Sequence, residues 1–212
     1  MIVSLRDISE SDAKQSLETY CSRSSPYSWP HYDLDETPNL LVPTDILATS
    51  FLDYPIKGKV IQELMRGYGI HSETNQYTKL SKHLSDVVSD EAAKGLCLDD
   101  IPEEQLGDRS MRGWGKVLIA IDAAQECKSL TSVFVTKVLH RKRPNLVPIN
   151  DSRLRNFYGI KKHSYSDLFL AIHRDVIQNR DYLDELRGKY VLSNGVVMSR
   201  LRALDIVVWM NQ

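Results

Sequence analysis

Asp151 is the residue whose type and setting could do chemistry, because between Lys128 and Lys162 it is the one acid among nine lysines and arginines. A lone carboxylate in a cationic setting can stabilise a developing positive charge and take a proton from an attacking water. The cations are Lys128, Lys137, Arg141, Lys142, Arg143, Arg153, Arg155, Lys161 and Lys162, and such a run suits a phosphate partner. A structural role is open as well. Asp151 or Asn150, just ahead of the helical stretch SRLRNFYG, is a good N-cap for the free amides of the first turn.

The flanking elements must place this acid. Val133, Val135, Val138 and Leu139 form one apolar helical stripe, carrying Lys137, Arg141, Lys142 and Arg143 with it. That helix must stop near Lys142, since Pro144 disfavours the α conformation before it and has no amide to donate. Leu146, Val147 and Ile149 around Pro148 then read as a short extended run delivering the chain to Asn150 and Asp151.

Charge is unevenly spread along the chain. The formal net charge is −1, yet residues 86–108 hold eight acids against the single Lys94. A basic face on a near-neutral protein is the usual footprint of nucleic-acid binding. The alternative is a basic surface answered by the acidic segment inside the fold.

The order helix, hairpin, helix, then P-x-L-x-P-x-x-D with the acid opening the next helix, resembles the core of the helix-hairpin-helix DNA glycosylase superfamily over about residues 110–160. KVLHRKRPNLVPIND at 137–151 and LRALDIVVWM at 201–210 resemble more closely a family of small bacterial proteins, across most of the chain. The superfamily resemblance implies that Asp151 faces the sugar of a flipped-out nucleotide, and that the hairpin around Ser129 and Thr131 grips the DNA backbone. Ser129-Leu130-Thr131 stands where the superfamily has glycine, hydrophobe, glycine, and neither polar residue takes positive φ as easily as glycine. The lysine that some relatives place after the hairpin is replaced by Ser132 and Val133, which implies a monofunctional enzyme using water. Lys137 reads as a backbone contact or the edge of a core helix.

The expected function is therefore a monofunctional DNA glycosylase acting on a damaged or modified base. The bacterial relatives suggest a modified base of phage DNA and a role in antiviral defence. The alternative is a non-catalytic helical DNA- or RNA-binding protein using the basic 137–143 segment. For either, Ser129, Thr131, Lys137, Arg141, Lys142, Arg143 and Arg153 are the expected DNA contacts. Tyr27, Trp29, His31 and Tyr32 lie between and around Pro26 and Pro30, on a segment where prolines forbid a regular helix, and are candidates for a base pocket. Their alternative role is to pin the N-terminal segment to the core. Trp114 and Trp209 read as core. Cys21, Cys97 and Cys127 are too far apart for a cluster or zinc site, so neither metal nor cofactor is expected.

The chain has 212 residues, 42% hydrophobic and 26% charged, enough for a sizeable core. Helical signals dominate. Ser9 or Ser11 caps a helix to about Ser22, Thr44 caps DILATSFLDY, and Gly58 precedes KVIQELMRGYG. Further stretches run over 75–88, 109–127, 165–178 and 195–210. The expected fold is all-α, nine to eleven short helices forming one domain, or two lobes around a cleft with an irregular connection near 86–108. No window is long and apolar enough to span a membrane, and the N-terminus lacks a signal-peptide pattern. A cytoplasmic monomer whose partner is duplex DNA is the expectation.

Overall fold

The computed structural model describes residues 4–22, 29–66, 75–161, 164–192 and 195–212, with only the backbone course given for Trp29, Pro30 and Arg66. These residues fold into helices α1 (Glu10–Cys21), α2 (Trp29–Tyr32), α3 (Pro43–Ala48), α4 (Gly58–Arg66), α5 (Gln76–Val88), α6 (Glu91–Lys94), α7 (Trp114–Gln125), α8 (Ser132–Lys142), α9 (Ser152–Phe157), α10 (Tyr165–Gln178), α11 (Arg180–Gly188) and α12 (Arg200–Met210). Short 3-10 turns at Leu5–Asp7, Thr49–Leu52, Leu98–Asp100 and Glu103–Gln105 complete the list. Among the described residues the sole extended pairing is the bridge between Val191 and Val197, so the all-α expectation holds.

Caps explain most of the helix starts. Ser9 accepts from the amide of Asp12 at the head of α1, Asn75 from those of Tyr77 and Thr78 at α5, and Ser199 from that of Arg202 at α12. Three expected starts are corrected, the last helix opening at Arg200 and not near Gly195 because Ser199 caps it there. Helix α3 begins at Pro43, one residue before Thr44, because proline at the first helical position loses no hydrogen bond; the Asp45 carboxylate accepts from the Val42 amide at 2.7 Å. Helix α7 begins at Trp114 and not near 109, because Gly113 takes φ +83°. A Cβ on Gly115 would stand 2.1 Å from the Arg109 carbonyl oxygen, so the 109–113 turn presses onto backbone where no side chain fits. The glycines following α4 lie outside the described residues.

One hydrophobic core runs through the molecule, from Leu5 and Leu17 through Leu84, Trp114, Ile121, Phe134 and Phe169 to Leu204 and Val208. The acidic 86–108 segment belongs to it through Leu98, Ile101 and Leu106, which corrects the picture of a bare connection. Its charges are answered by helices other than α8. Asp90 pairs with Lys116 at 2.8 Å, and Asp99 with Arg180 at 3.0 Å and Arg200 at 2.8 Å.

Helices α7 and α8 pack side by side across the turn Glu126–Thr131. Leu130 is buried at its centre while Ser129 and Thr131 are exposed. No residue of this turn takes positive φ, so the chain reverses without the glycines that the resemblance called for.

Candidate active-site pocket

Asp151 caps α9, its Oδ1 accepting from the Arg153 amide at 2.8 Å. Its Oδ2 lies 3.6 Å from the Lys137 ammonium. One carboxylate oxygen is thus committed to the helix, and the other faces a cation. The Asp151 side chain is 15% exposed and lines a pocket of about 370 Å³, open mouth included, with Tyr20, Leu52, Lys137, Arg202, Asp205 and Trp209 among its walls. The space in it that a water-sized sphere can occupy is about 30 Å³, room for about one or two waters beside the carboxylate.

Asn150 positions the acid. Its amide donates to Thr136 Oγ1 at 3.0 Å, its Nδ2 to Ser132 Oγ at 2.7 Å, and its Oδ1 accepts from Arg155. The segment before α9 is therefore stapled along the inner face of α8, which brings Asp151 to the level of Lys137. The Lys137 ammonium also donates to the Leu52 carbonyl. Burial pushes its pKa down, against the opposing pull of Asp151 and Asp205.

Behind these two residues lies a buried charge network. Arg202 Nε sits 3.0 Å from Asp33 Oδ1, Nη1 donates to Asp205, and Nη2 donates to the Tyr20 hydroxyl at 2.6 Å. The guanidinium also lies 5.1 Å from the ring centres of Tyr20 and Tyr32. Burial raises the Asp205 carboxyl to about 6, although Arg202 opposes the rise and the Asp151 charge adds to it. Asp205 thus lines the same pocket as Asp151 in a more buried environment, and two carboxyls in unlike environments suit acid and base roles.

The basic run behaves otherwise than expected. Lys142 is fully buried, its ammonium 2.7 Å from Asp35, 2.9 Å from Asp45 and 2.7 Å from the Thr37 carbonyl. Arg141 Nε donates to Asp45 at 3.0 Å and its terminal nitrogens to the carbonyls of Tyr32 and Leu34. Arg143 is buried, donating to the carbonyls of Pro38 and Val88. These three side chains tie the 31–45 segment to the end of α8. Their inward orientation corrects the expectation that they form a phosphate-facing surface. Lys137 is likewise buried, in the pocket. Ser129 is exposed, Thr131 is exposed with its Oγ1 3.3 Å from the Tyr54 hydroxyl, and Arg153 stacks its guanidinium 3.8 Å from the Trp209 ring centre.

The aromatic candidates separate too. Tyr27 lies outside the described residues, as does the side chain of Trp29. Tyr32 is fully buried, donates its hydroxyl to the Lys137 carbonyl and lies 6.4 Å from the His140 ring; it supports α8 from behind and does not line the pocket. His31 is exposed with its ring 6.0 Å from that of Phe51. The pocket's aromatic walls are instead Tyr20 and Trp209. Trp209, expected in the core, is half-buried at the rim, whereas Trp114 is fully buried as expected.

Tyr20, Arg202 and Asp205 were not singled out from the sequence. A signal existed in LRALDIVVWM, where Arg202 and Asp205 interrupt an otherwise apolar helix three residues apart. Charges in so apolar a helix are buried only when paired. Among the described residues, no group of His, Cys, Asp and Glu is arranged to hold a metal ion, and no helix is long and apolar enough to cross a membrane.

The described residues define an all-helical protein with two acids, part-exposed Asp151 and buried Asp205, lining one pocket. Residues 13–212 match DUF6308, a family of unknown function, and the chain belongs to it. No curated protein and no solved structure matches the chain.

Proposed function

We propose that the protein is a glycosylase hydrolysing the N-glycosidic bond of a damaged or modified base in DNA, with Asp151 as its catalytic carboxylate. The observation that carries this reading is the divided environment of Asp151, with one oxygen fixed by the α9 amide and the other turned toward Lys137 in an open pocket. Breaking a base–sugar bond leaves positive charge on the sugar, which a fixed carboxylate stabilises while taking a proton from the attacking water. The water oxygen bonds to the sugar carbon as the base departs with the bond's electron pair. That base needs a proton. We assign that proton to Asp205, the second acid lining the same pocket. Lys137 balances the Asp151 charge and keeps the carboxylate oriented.

The non-catalytic binding reading loses its chief support, since Arg141, Lys142 and Arg143 are engaged inside the protein. Contacts to the DNA backbone would come from the exposed hairpin residues Lys128, Ser129 and Thr131. A phage-modified base as target rests on the resemblance to small bacterial proteins. The test is mass spectrometry of free bases after incubating the protein with normal, chemically damaged and phage-modified DNA. Release of one base class supports the proposal, and no release from any substrate contradicts it.

A further inference from the structure

Of the cations at 137–143, Lys137, Arg141 and Lys142 each pair with a carboxylate, and Arg143 does not. Its partners among the described residues are backbone carbonyls, those of Pro38 and Lys142 at 2.7 Å and that of Val88. Val88 ends α5 and Lys142 ends α8, where carbonyls have no acceptor role left within their own helix. Carbonyl dipoles solvate a guanidinium but leave its charge uncancelled, and a buried arginine is ordinarily paired. The acids whose charges act on it are Asp35, Glu91 and Asp90. Each already holds another cation, respectively Lys142, Lys94 and Lys116.

The three carbonyls engage Nη1 and Nη2, and Nε is buried with no partner. Nε and Nη2 form the side edge of the guanidinium, whose parallel N–H directions match two oxygens of one oxyanion. Arg143 lines a pocket of about 500 Å³, open mouth included, between the end of α8, residues 38–39 and the end of α6. A water-sized sphere can occupy about 220 Å³ of it, against about 30 Å³ beside Asp151. Lys94, Lys142, Asn39 and Asn145 share its wall, and no acid does among the described residues. Lys94 is exposed and its partner Glu91 is 79% exposed, so that ion pair is weak and open to exchange.

We propose that this pocket binds a single phosphate group, inorganic phosphate or a phosphate monoester, with the side edge of Arg143 taking two oxygens and Lys94, Asn39 and Asn145 closing around the rest. The unpaired Arg143 and the loosely held Lys94 together suit the charge of about −1.5 to −2 that a monoester carries at neutral pH. A diester inside a nucleic-acid chain, substituted on both sides, is a poor fit to a guanidinium set this deep. The inference concerns a pocket other than that of Asp151 and stands whether or not Asp151 is catalytic.

Titration calorimetry with sodium phosphate, at ionic strength held constant with chloride, tests it. Wild type should bind phosphate saturably, and the Arg143 Nε–H signal in proton–nitrogen NMR spectra, assigned by its loss in Arg143→Lys, should shift with the same affinity. Lys94→Glu changes an exposed residue that the core does not need, and should weaken binding about tenfold or more. Lys137→Met, in the Asp151 pocket, should leave phosphate binding unchanged. A nucleoside 5′-monophosphate that competes identifies a monoester as ligand, and one that does not leaves inorganic phosphate; a dinucleoside monophosphate should not compete in either case. Absence of saturable binding, or binding that Lys94→Glu leaves intact, overturns the inference. Binding lost in Lys137→Met and kept in Lys94→Glu would move the anion to the Asp151 pocket, and equal competition by the dinucleoside monophosphate would make the site a nucleic-acid backbone contact; both overturn it as well.

Discussion

Replacing Lys142 by methionine separates a structural basic run from a DNA-binding one. The Lys142 side chain is fully buried between Asp35 and Asp45, and Asp45 is itself fully buried. Methionine keeps much of the volume but leaves Asp45 with Arg141 as its remaining cation, at 3.0 Å. Removing one partner from a buried ion pair costs about 3 to 5 kcal/mol, because the other charge stays desolvated. An unfolding entropy of about 2.1 cal/mol/K per residue makes each kcal/mol worth about 2 °C in a chain of this length. The midpoint of thermal unfolding should therefore fall by about 7 to 11 °C in Lys142→Met, as read by calorimetry. Asp45→Asn should do the same, and the double variant should lose less than the two single losses together. The slope of log DNA affinity against log salt should not change in Lys142→Met. A reduction of that slope by about one unit with an unchanged midpoint is the signature of a phosphate contact, and would refute the inward-facing account.

Two further outcomes follow from the buried groups. His140 donates from Nδ1 to the Val147 carbonyl at 2.6 Å, and burial, assisted by the nearby Arg202 charge, lowers its pKa to about 3. The unfolded chain then binds a proton that the folded chain refuses, so this residue's contribution is present above about pH 6.5 and is lost as pH falls, by about 1.4 kcal/mol per unit. Asp205, raised to about 6, works in the opposite sense, its contribution being lost as pH rises through that value. Urea titrations should accordingly show the stability advantage of wild type over His140→Asn shrinking by about 2 to 3 kcal/mol between pH 6.5 and 4.5, and a constant difference would mean that His140 titrates as in water. Gly115→Ala should cost at least about 1 to 3 kcal/mol, since the new methyl meets the Arg109 carbonyl carbon and oxygen, whereas Gly95→Ala, with open space around it, should be neutral or stabilising by up to about 1 kcal/mol. Equal unfolding midpoints for the two variants would contradict the packing described for the 109–113 turn.

The helices were legible because their caps and periodicity are local. Ser9 and Asn75 do what such residues do at helix starts, and the break at Pro144 and restart at Asp151 fall where the proline and the cap require. The direction of the basic side chains was not legible, because it depends on partners about a hundred positions away. Asp35, Asp45 and the carbonyls of Tyr32, Leu34 and Pro38 draw Arg141, Lys142 and Arg143 inward, and a charge count along the chain cannot see them. The pocket's second acid was hidden for a related reason. Asp205 reads as one polar residue in an apolar helix until α1 and α8 bring Tyr20 and Lys137 beside it. Asp151 was found because its setting between two prolines and a helix start is a feature of neighbouring residues.

The central claim is tested most directly by the rate of base release from a modified duplex by Asp151→Asn under single turnover. Asparagine caps α9 as well as aspartate does, so fold and DNA affinity should match wild type while base release falls by at least about a hundredfold. Release at the wild-type rate by a folded, DNA-binding Asp151→Asn would contradict the account.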